Sequence, residues 1–352
     1  MLMLTAAQVE SLLDLDTAME SQRAAFTALG NRTAVLPNKL MVPGPDDSVA
    51  LAYAARLSAE TGPVCKLVSV NPANVAAGLP AISAIITALH PVTGRPVAVL
   101  DGTSITTIRT SAASAVAADV LSTPDSDDLA VLGCGIQGMA HVRAIARVRP
   151  LRRVRVWRRD PAECKAAATQ LTAELGIEVE AGPDPQATVD GARIVVTSTL
   201  SSEPVLLGRW LSPGTTVISV GSFEPNRHEV DAEVLERAAA VVVDDPDTAR
   251  EHAGPVVAAI ADGRLGPAGG RARRRRRRHR DRPPVGGGHR LLQQRRDRRS
   301  GCGRGLGGHR EGRLHRPGKH RCPLTVAGIS GPARVHRRVS CGVRPPVHHP
   351  SA

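Results

Sequence analysis

No run of apolar residues in this 352-residue chain approaches the ~20 needed to cross a bilayer as a helix. The first twenty residues lack the basic stretch, apolar core and cleavage site of a secretory signal, so a cytoplasmic protein with no membrane partner is expected. The six cysteines lack both metal-ligand spacing and a disulfide pattern, which fits a reducing compartment and gives no metal site. Lysine is nearly missing from the last quarter. Residues 265–352 hold 24 of the 46 Lys and Arg but 3 of the 33 Asp and Glu, a net of +21, and only one of those 24 is lysine. Residues 1–264 therefore carry a net of −8 within an overall charge of +13.

Two kinds of sequence are joined here. Taken literally, the polybasic run Arg271–Arg282 is a solvated segment that could hold phosphates. Arginine without lysine is also what GC-rich DNA gives when read in the wrong frame. Back-translation of Leu291–Leu306, LLQQRRDRRSGCGRGL, with a suitable choice of third codon positions, gives YYNSVGIGVQDAAAAW one base forward. That is a helix-starting segment. The chain is therefore expected to leave its frame between about Arg264 and Asp281. Residues 267–352 become an out-of-frame, disordered, Arg-rich tail with few periodic apolar positions, and nucleic acid is not the expected partner.

The first 122 residues read as an α/β domain. Thr5 precedes AAQVESLLDL, and Asp16 precedes a helical stretch that stops at Gly30. Strand-like runs follow at Val49–Leu57, Val64–Val70, Ile82–Leu89 and Pro96–Leu100, separated by Gly and Pro. Ser104–Leu121 is a helix of small residues. After a polar linker at 123–128 the pattern changes. Short continuous apolar strands (Leu129–Leu132, Val154–Trp157, Ile194–Ser198, Thr216–Val220, Ala240–Val243) alternate with helices (Ile136–Arg147, Pro161–Leu175). Strands apolar on both faces imply a parallel sheet covered on both sides. The fold class is α/β, with a doubly wound Rossmann sheet at 123–266.

Gly133-Cys134-Gly135-Ile136-Gln137-Gly138 is GxGxxG directly after a strand and opening a helix. Gly133 permits the tight turn, Gly135 lets backbone approach a pyrophosphate, and Gly138 lets helix and strand pack closely. The helix N-terminus adds free N–H groups for phosphate. A tight turn without ligand is the bland alternative. The second strand ends VRVWRRD. Arg158 and Arg159 stand where an acidic residue would hold ribose hydroxyls, which favours NADP over NAD, against two ordinary surface arginines. Asp160 heads Asp160-Pro161-Ala162-Glu163, a capping box, and reads as a cap. Cys134 reads as a small filler in the turn.

Three stretches beyond this motif resemble the ornithine cyclodeaminase/mu-crystallin family: VCKLVSVNPANVAAGLPAISAIITALHPVTGRPVAVLDGTSITTIRTSAASAVAAD, LAVLGCGIQGMAHVRAI and VISVGSFEPNRHEVD. The resemblance runs from about Ala34 to Gly266. It implies a homodimer in which an N-terminal substrate and dimerisation domain, here 1–122, is completed by a C-terminal segment of the kind found in the shifted reading. In TTIRTSAAS, Arg109 matches the family's carboxylate-binding arginine. Lys66 in VCKLVSV matches its lysine at the substrate, which burial would suit to proton donation. The alternatives are an arginine bridging its own helix and a lysine on the solvent face. Lys39 in LPNKL stands where relatives place an arginine, or is a surface lysine. Thr110 and Thr199 match nucleotide-contacting positions, or bond nearby backbone. Ile136, Gln137, Val220 and Gly221 complete the cofactor candidates.

One departure matters. The family's deaminases carry an aspartate two residues after the glycine of this turn; here Gly221-Ser222 is followed by Phe223, and Glu224 is one position off. Glu229 and Asp231 read as helix-start residues. The resemblance therefore implies an NAD(P)H-dependent reductase of an imine formed from a 2-oxo acid and an amine, or the reverse amino-acid dehydrogenation. The alternatives are an ornithine-to-proline ammonia lyase and a non-catalytic dinucleotide- or ligand-binding protein; under any of these readings the product is expected to be poorly soluble or inactive if the frame is truly lost. The nucleotide sequence across codons 260–310 is expected to contain the YYNSVGIGVQD frame; a gene without it refutes the frame change and restores the basic tail as a binding segment.

Overall fold

The computed structural model describes residues 1–265 and 324–328. Strand β1 (Leu2–Leu4) leads into helices α1 (Ala6–Leu12) and α2 (Leu15–Gly30). Gln8 turns back to accept from the Thr5 N–H at 3.0 Å, which closes the start of α1. The α2 cap is Asp14, accepting from the Thr17 N–H at 2.7 Å, two residues before the expected Asp16. Asp16 is free for another partner because it lies inside the first turn, and it pairs with Arg147.

A six-stranded sheet follows: β2 (Leu40–Pro43), β3 (Val49–Ala55), β4 (Val64–Val70), β5 (Ile82–Leu89) and β6 (Pro96–Asp101), in the order β1-β6-β5-β4-β3-β2. All pairs are antiparallel except β1 with β6. The two edge strands, of three and four residues, carry no period long enough to read from sequence. Alternation along the middle strands sorts the two faces. Leu51, Val68, Val70 and Ala84 are buried on one face. Leu67 and Ile85, on the other, are half exposed.

Helix α3 (Gly102–Leu121) lies on the buried face, capped by Asp101 through the Ser104 N–H at 2.7 Å. Its start sits so close to β5 that a Cβ on Gly102 would stand 2.8 Å from the Ala84 carbonyl carbon. Its later turns bury Ser111, Ala112, Ala113, Ser114, Ala115 and Ala118.

The second sheet contains β7 (Asp128–Leu132), β8 (Arg153–Trp157), β9 (Val179–Ala181), β10 (Ile194–Thr197), β11 (Thr216–Ser219), β12 (Ala238–Val243) and β13 (Leu324–Gly328). Its order is β12-β13-β11-β10-β7-β8-β9, and every pair is parallel. This is the doubly wound topology, reversing direction between β7 and β10. Both faces of β7 are buried: Leu129 and Val131 belong to one core cluster, Ala130 and Leu132 to the other, which is why the strand reads as a continuous apolar run. The helices are α4 (Ile136–Ala146), α5 (Pro161–Leu175), α6 (Pro185–Val189), α7 (Ala232–Arg237), α8 (Pro246–His252) and α9 (Gly254–Ala261).

Helices α3 and α4 pack against each other through one buried polar pair. His141 is fully buried, with Nδ1 2.6 Å from the Gln137 carbonyl and Nε2 2.8 Å from the Ser114 hydroxyl. A carbonyl can only accept, so Nδ1 carries the proton and the serine donates to Nε2. Burial pushes the imidazole down to about 4, which keeps it neutral in this pairing. The five residues of β13 are a strand in the part of the chain expected to be out of frame. Leu-Thr-Val-Ala-Gly is β-prone enough to pair between β11 and β12. The rest of the expected Arg-rich tail lies outside the described residues.

Candidate active site

The carboxyl end of β7 turns at Gly133, whose φ of 98° is open to glycine alone at low cost. A Cβ there would stand 2.7 Å from the Ser198 carbonyl oxygen, and one on Gly138 would stand 2.2 Å from the Gly133 oxygen. Gly135 differs: its missing Cβ faces open space. Two glycines therefore let strand, turn and helix close on one another, and the third leaves the backbone bare toward the cleft. Gly135 is the N-cap of α4 and supplies no side-chain hydrogen bond, so the first N–H groups of an eleven-residue helix await an outside acceptor. Ile136 is exposed beside them. The side-chain oxygen of Gln137 is buried without a partner among the described residues. An amide or hydroxyl donor from a dinucleotide would satisfy it, and the turn fits a pyrophosphate.

At the end of β8, Arg158 pairs with Glu163, and Arg159 is exposed. Asp160 accepts from the Ala162 and Glu163 N–H groups at 2.8 and 3.1 Å, with Pro161 at the first helical position. It is a cap, and both arginines follow directly on the carboxyl end of β8. Cys134 is buried 3.8 Å from Cys164; burial first, then the neighbouring thiol, pushes it up to about 12, so it is an inert filler.

Two loops close the floor. Thr199, Val220 and Gly221 lie just past β10 and β11. Thr199 gives its N–H and hydroxyl to Glu229, at 2.5 and 2.9 Å. The Gly221 N–H goes to the same carboxylate at 2.6 Å. Asp231 caps α7, accepting from the Val234 N–H at 3.1 Å, as its sequence position suggests. Glu229 is no helix-start residue but a fully buried acceptor. The Thr110 hydroxyl is buried and donates to the Thr106 carbonyl at 2.6 Å, within its own helix.

The other half of the site stands on the first sheet. Lys66 shares the inner face of β4 with Val68 and Val70, directly across from Tyr53 on β3, and its ammonium lies 4.8 Å from the centre of the tyrosine ring. Burial, then the nearby Arg109, lowers the lysine to about 7. Arg109 lies deep in the fold, yet its surface is only partly covered, as for a group lining a cleft. Among the described residues neither Lys66 nor Arg109 has an ion pair or a side-chain hydrogen bond. Tyr53 is held protonated by burial and feels Arg109, Glu224 and Asp244. Lys39, lowered by burial, feels the carboxylates of Glu224, Asp244 and Glu251, which places it on the same side of the cleft. Glu224 itself is taken by Arg227 at 2.8 Å, both largely buried.

Sequence reasoning missed Tyr53 and misassigned Glu229. Tyr53 is the chain's one tyrosine, and the antiparallel register that sets it against Lys66 was the available signal. Nothing local marks Glu229, because all its side-chain partners lie eight or more residues away.

The ornithine cyclodeaminase/mu-crystallin family matches residues 1–280. An alanine dehydrogenase of Archaeoglobus fulgidus is 32% identical over 274 residues, covering 75% of this chain and 80% of that protein. The ketimine reductase mu-crystallin of Mus musculus is 32% identical over 211 residues, covering 60% of this chain and 65% of that protein. The solved structure of an archaeal alanine dehydrogenase dimer with bound NAD is 30% identical, with a TM-score of 0.70 over 76% of this chain and 82% of that one. The glycine turn at the sheet's switch point, the cations on β4 and α3 and these likenesses agree: the chain belongs to the ornithine cyclodeaminase/mu-crystallin family.

Proposed function

We propose that this protein is an NAD(P)H-dependent reductase of imines derived from 2-oxo acids, working in reverse as an amino-acid dehydrogenase. The observation that carries this reading is the pair of cations, Lys66 on the inner face of β4 and Arg109 on α3, near enough for the arginine to lower the lysine, with no carboxylate bonded to either among the described residues. Two neighbouring positive charges raise each other's energy, and an anionic substrate relieves it. Arg109 presents a planar fork suited to a carboxylate. Lys66 is held where it can give up a proton near neutral pH, and its place beside Tyr53 suits it to the imine nitrogen.

Gly133, Gly135 and Gly138 would hold the cofactor's phosphates, and Ile136, Gln137, Thr110, Thr199, Val220 and Gly221 would be its further contacts. When bound, the cofactor supplies the hydride; the protein supplies placement and charge. Arg159, exposed just past β8, and Arg158, if it leaves Glu163, would favour a 2′-phosphate, hence NADPH. The lyase reading is weaker, because the carboxylate nearest the family's catalytic aspartate, Glu224, is bound by Arg227. The ketimine reductase likeness supports the same choice.

The second partner is another copy of this chain. From β2 to β5 the outward face of the first sheet shows Leu40, Val42, Leu67 and Ile85, 70%, 63%, 50% and 49% exposed, between alanines, serines, a cysteine and a threonine. It carries no charged side chain. A bare apolar sheet face of this kind is an interface, and the dimeric relative supports a twofold pairing.

Arg109→Ala is expected to raise the KM for the imine carboxylate about a hundredfold, and Arg109→Lys to recover little of it. Lys66→Met should lower kcat about 10²- to 10⁴-fold. The donor form of Lys66 exists below about 7, so kcat/KM for reduction should fall as pH rises through that value, and the fall should vanish in Lys66→Met. Steady-state kinetics of the wild type and each variant with NADPH and NADH, the former giving the lower KM, check all three; an unchanged Arg109→Ala enzyme sinks the assignment. Sedimentation should show a dimer, converted to monomer by Leu67→Glu with Ile85→Lys. A monomeric wild type contradicts the interface.

A further inference from the structure

Glu229 is the least expected group in the chain. It is fully buried at the carboxyl edge of the second sheet, beside two clusters of apolar side chains. Burying a carboxylate is costly, and here burial pushes the group upward against the pull of its donors. The donors are arranged in two sets. Oε1 accepts from the N–H and hydroxyl of Thr199, at 2.5 and 2.9 Å. Oε2 accepts from the Gly221 N–H at 2.6 Å, the Thr197 hydroxyl at 2.9 Å and the Ser219 hydroxyl at 3.0 Å. Thr197 and Thr199 belong to the end of β10, Ser219 and Gly221 to the end of β11. One carboxylate therefore joins the two loops that follow adjacent parallel strands. Its own N–H is fixed in turn by the Ser222 hydroxyl at 2.9 Å.

The contact reaches the glycine turn. A Cβ on Gly221 would stand 1.8 Å from the Thr199 carbonyl oxygen and 2.8 Å from the Glu229 carboxyl carbon, so the two loops touch backbone to backbone. On its other side, the Thr199 methyl stands 2.7 Å from the place a Cβ of Gly133 would take, and the neighbouring Ser198 hydroxyl donates to the Gly133 carbonyl at 2.7 Å. Carboxylate, β10 loop and phosphate turn form one continuous stack.

We propose that Glu229 is a positioning residue of the dinucleotide cleft: it holds the ends of β10 and β11 in one register, and through Thr199 it sets the floor against the Gly133 turn. This rests on the dinucleotide reading above. An apolar side chain could fill the same volume, but it could not satisfy two main-chain N–H groups and three hydroxyls at once. Glutamine cannot either. Each carboxylate oxygen faces a main-chain N–H, so either orientation of the amide turns its NH₂ against the donor of Thr199 or of Gly221. The site is specific to a carboxylate.

The test compares the full-length wild type with Glu229→Gln and Thr197→Val, the second removing a single hydroxyl donor. NADPH affinity is read by nicotinamide fluorescence at a temperature where each protein is folded, beside kcat, both KM values and the melting temperature. Glu229→Gln is expected to weaken NADPH binding about tenfold or more and to lower kcat, while the KM for the imine changes less. Thr197→Val should move NADPH affinity in the same direction by a few-fold. A folded Glu229→Gln protein that binds NADPH within about twofold of wild type overturns the proposal, whatever its melting temperature. If Glu229→Gln does not fold, a Thr197→Val protein with wild-type affinity overturns it. A wild type that binds no NADPH fails earlier and takes the dinucleotide reading with it.

Discussion

A helix can lie against two layers at once only if it is narrow on both sides, and α3 meets that condition along its length. Gly102 lets its first turn sit on β5, and the run of serines and alanines from Ser111 to Ala118 lets α4 approach the later turns. Small side chains bury little area each, so this close approach gains less from hydrophobic transfer than from dense packing. The Ser114–His141 pair adds direction: it is the buried polar link between the helix that carries Arg109 and the helix that begins at the glycine turn. The distance from substrate cation to phosphate turn is therefore set by packing rather than by a loop.

Electrostatics then divides the cleft. Beside the first sheet, burial lowers both Lys66 on β4 and Arg109 on α3, the arginine lowers the lysine further, and neither is bonded to a carboxylate among the described residues. On the second sheet, the carboxylate of Glu229 is spent on main-chain and hydroxyl donors. Glu224 is likewise spent on Arg227. Cations thus stand on one side and a hydrogen-bonded polar floor on the other, the arrangement that the proposed reduction of a carboxylate-bearing imine would use.

Much of this was legible in the residues. The glycine turn, the both-sides-apolar strands of the second sheet and the small-residue helix are local patterns, and each stands where its period puts it. Lys66 and Arg109 were reached through resemblance, not through period, because nothing local separates a cleft lysine from a surface one. Other features depend on partners far along the chain. The Tyr53–Lys66 contact exists only once β3 and β4 take their register. Asp14 and Asp16 are equally good caps by type, and only Arg147, more than a hundred residues on, decides between them. Glu229 looked like a helix-start residue because Asp231, two places later, is one. β1 and β2 are short edge strands that borrow their order from longer neighbours.

Hydride transfer to an imine carbon beside a carboxylate is tested by reducing a cyclic imine carboxylate with NADPH carrying deuterium at both C4 positions, followed by mass and NMR analysis of the product. Stoichiometric NADPH oxidation and deuterium on the carbon bearing the carboxylate are expected. Release of ammonia from a diamino acid with no net NADPH consumed, or product without deuterium at that carbon, would contradict it.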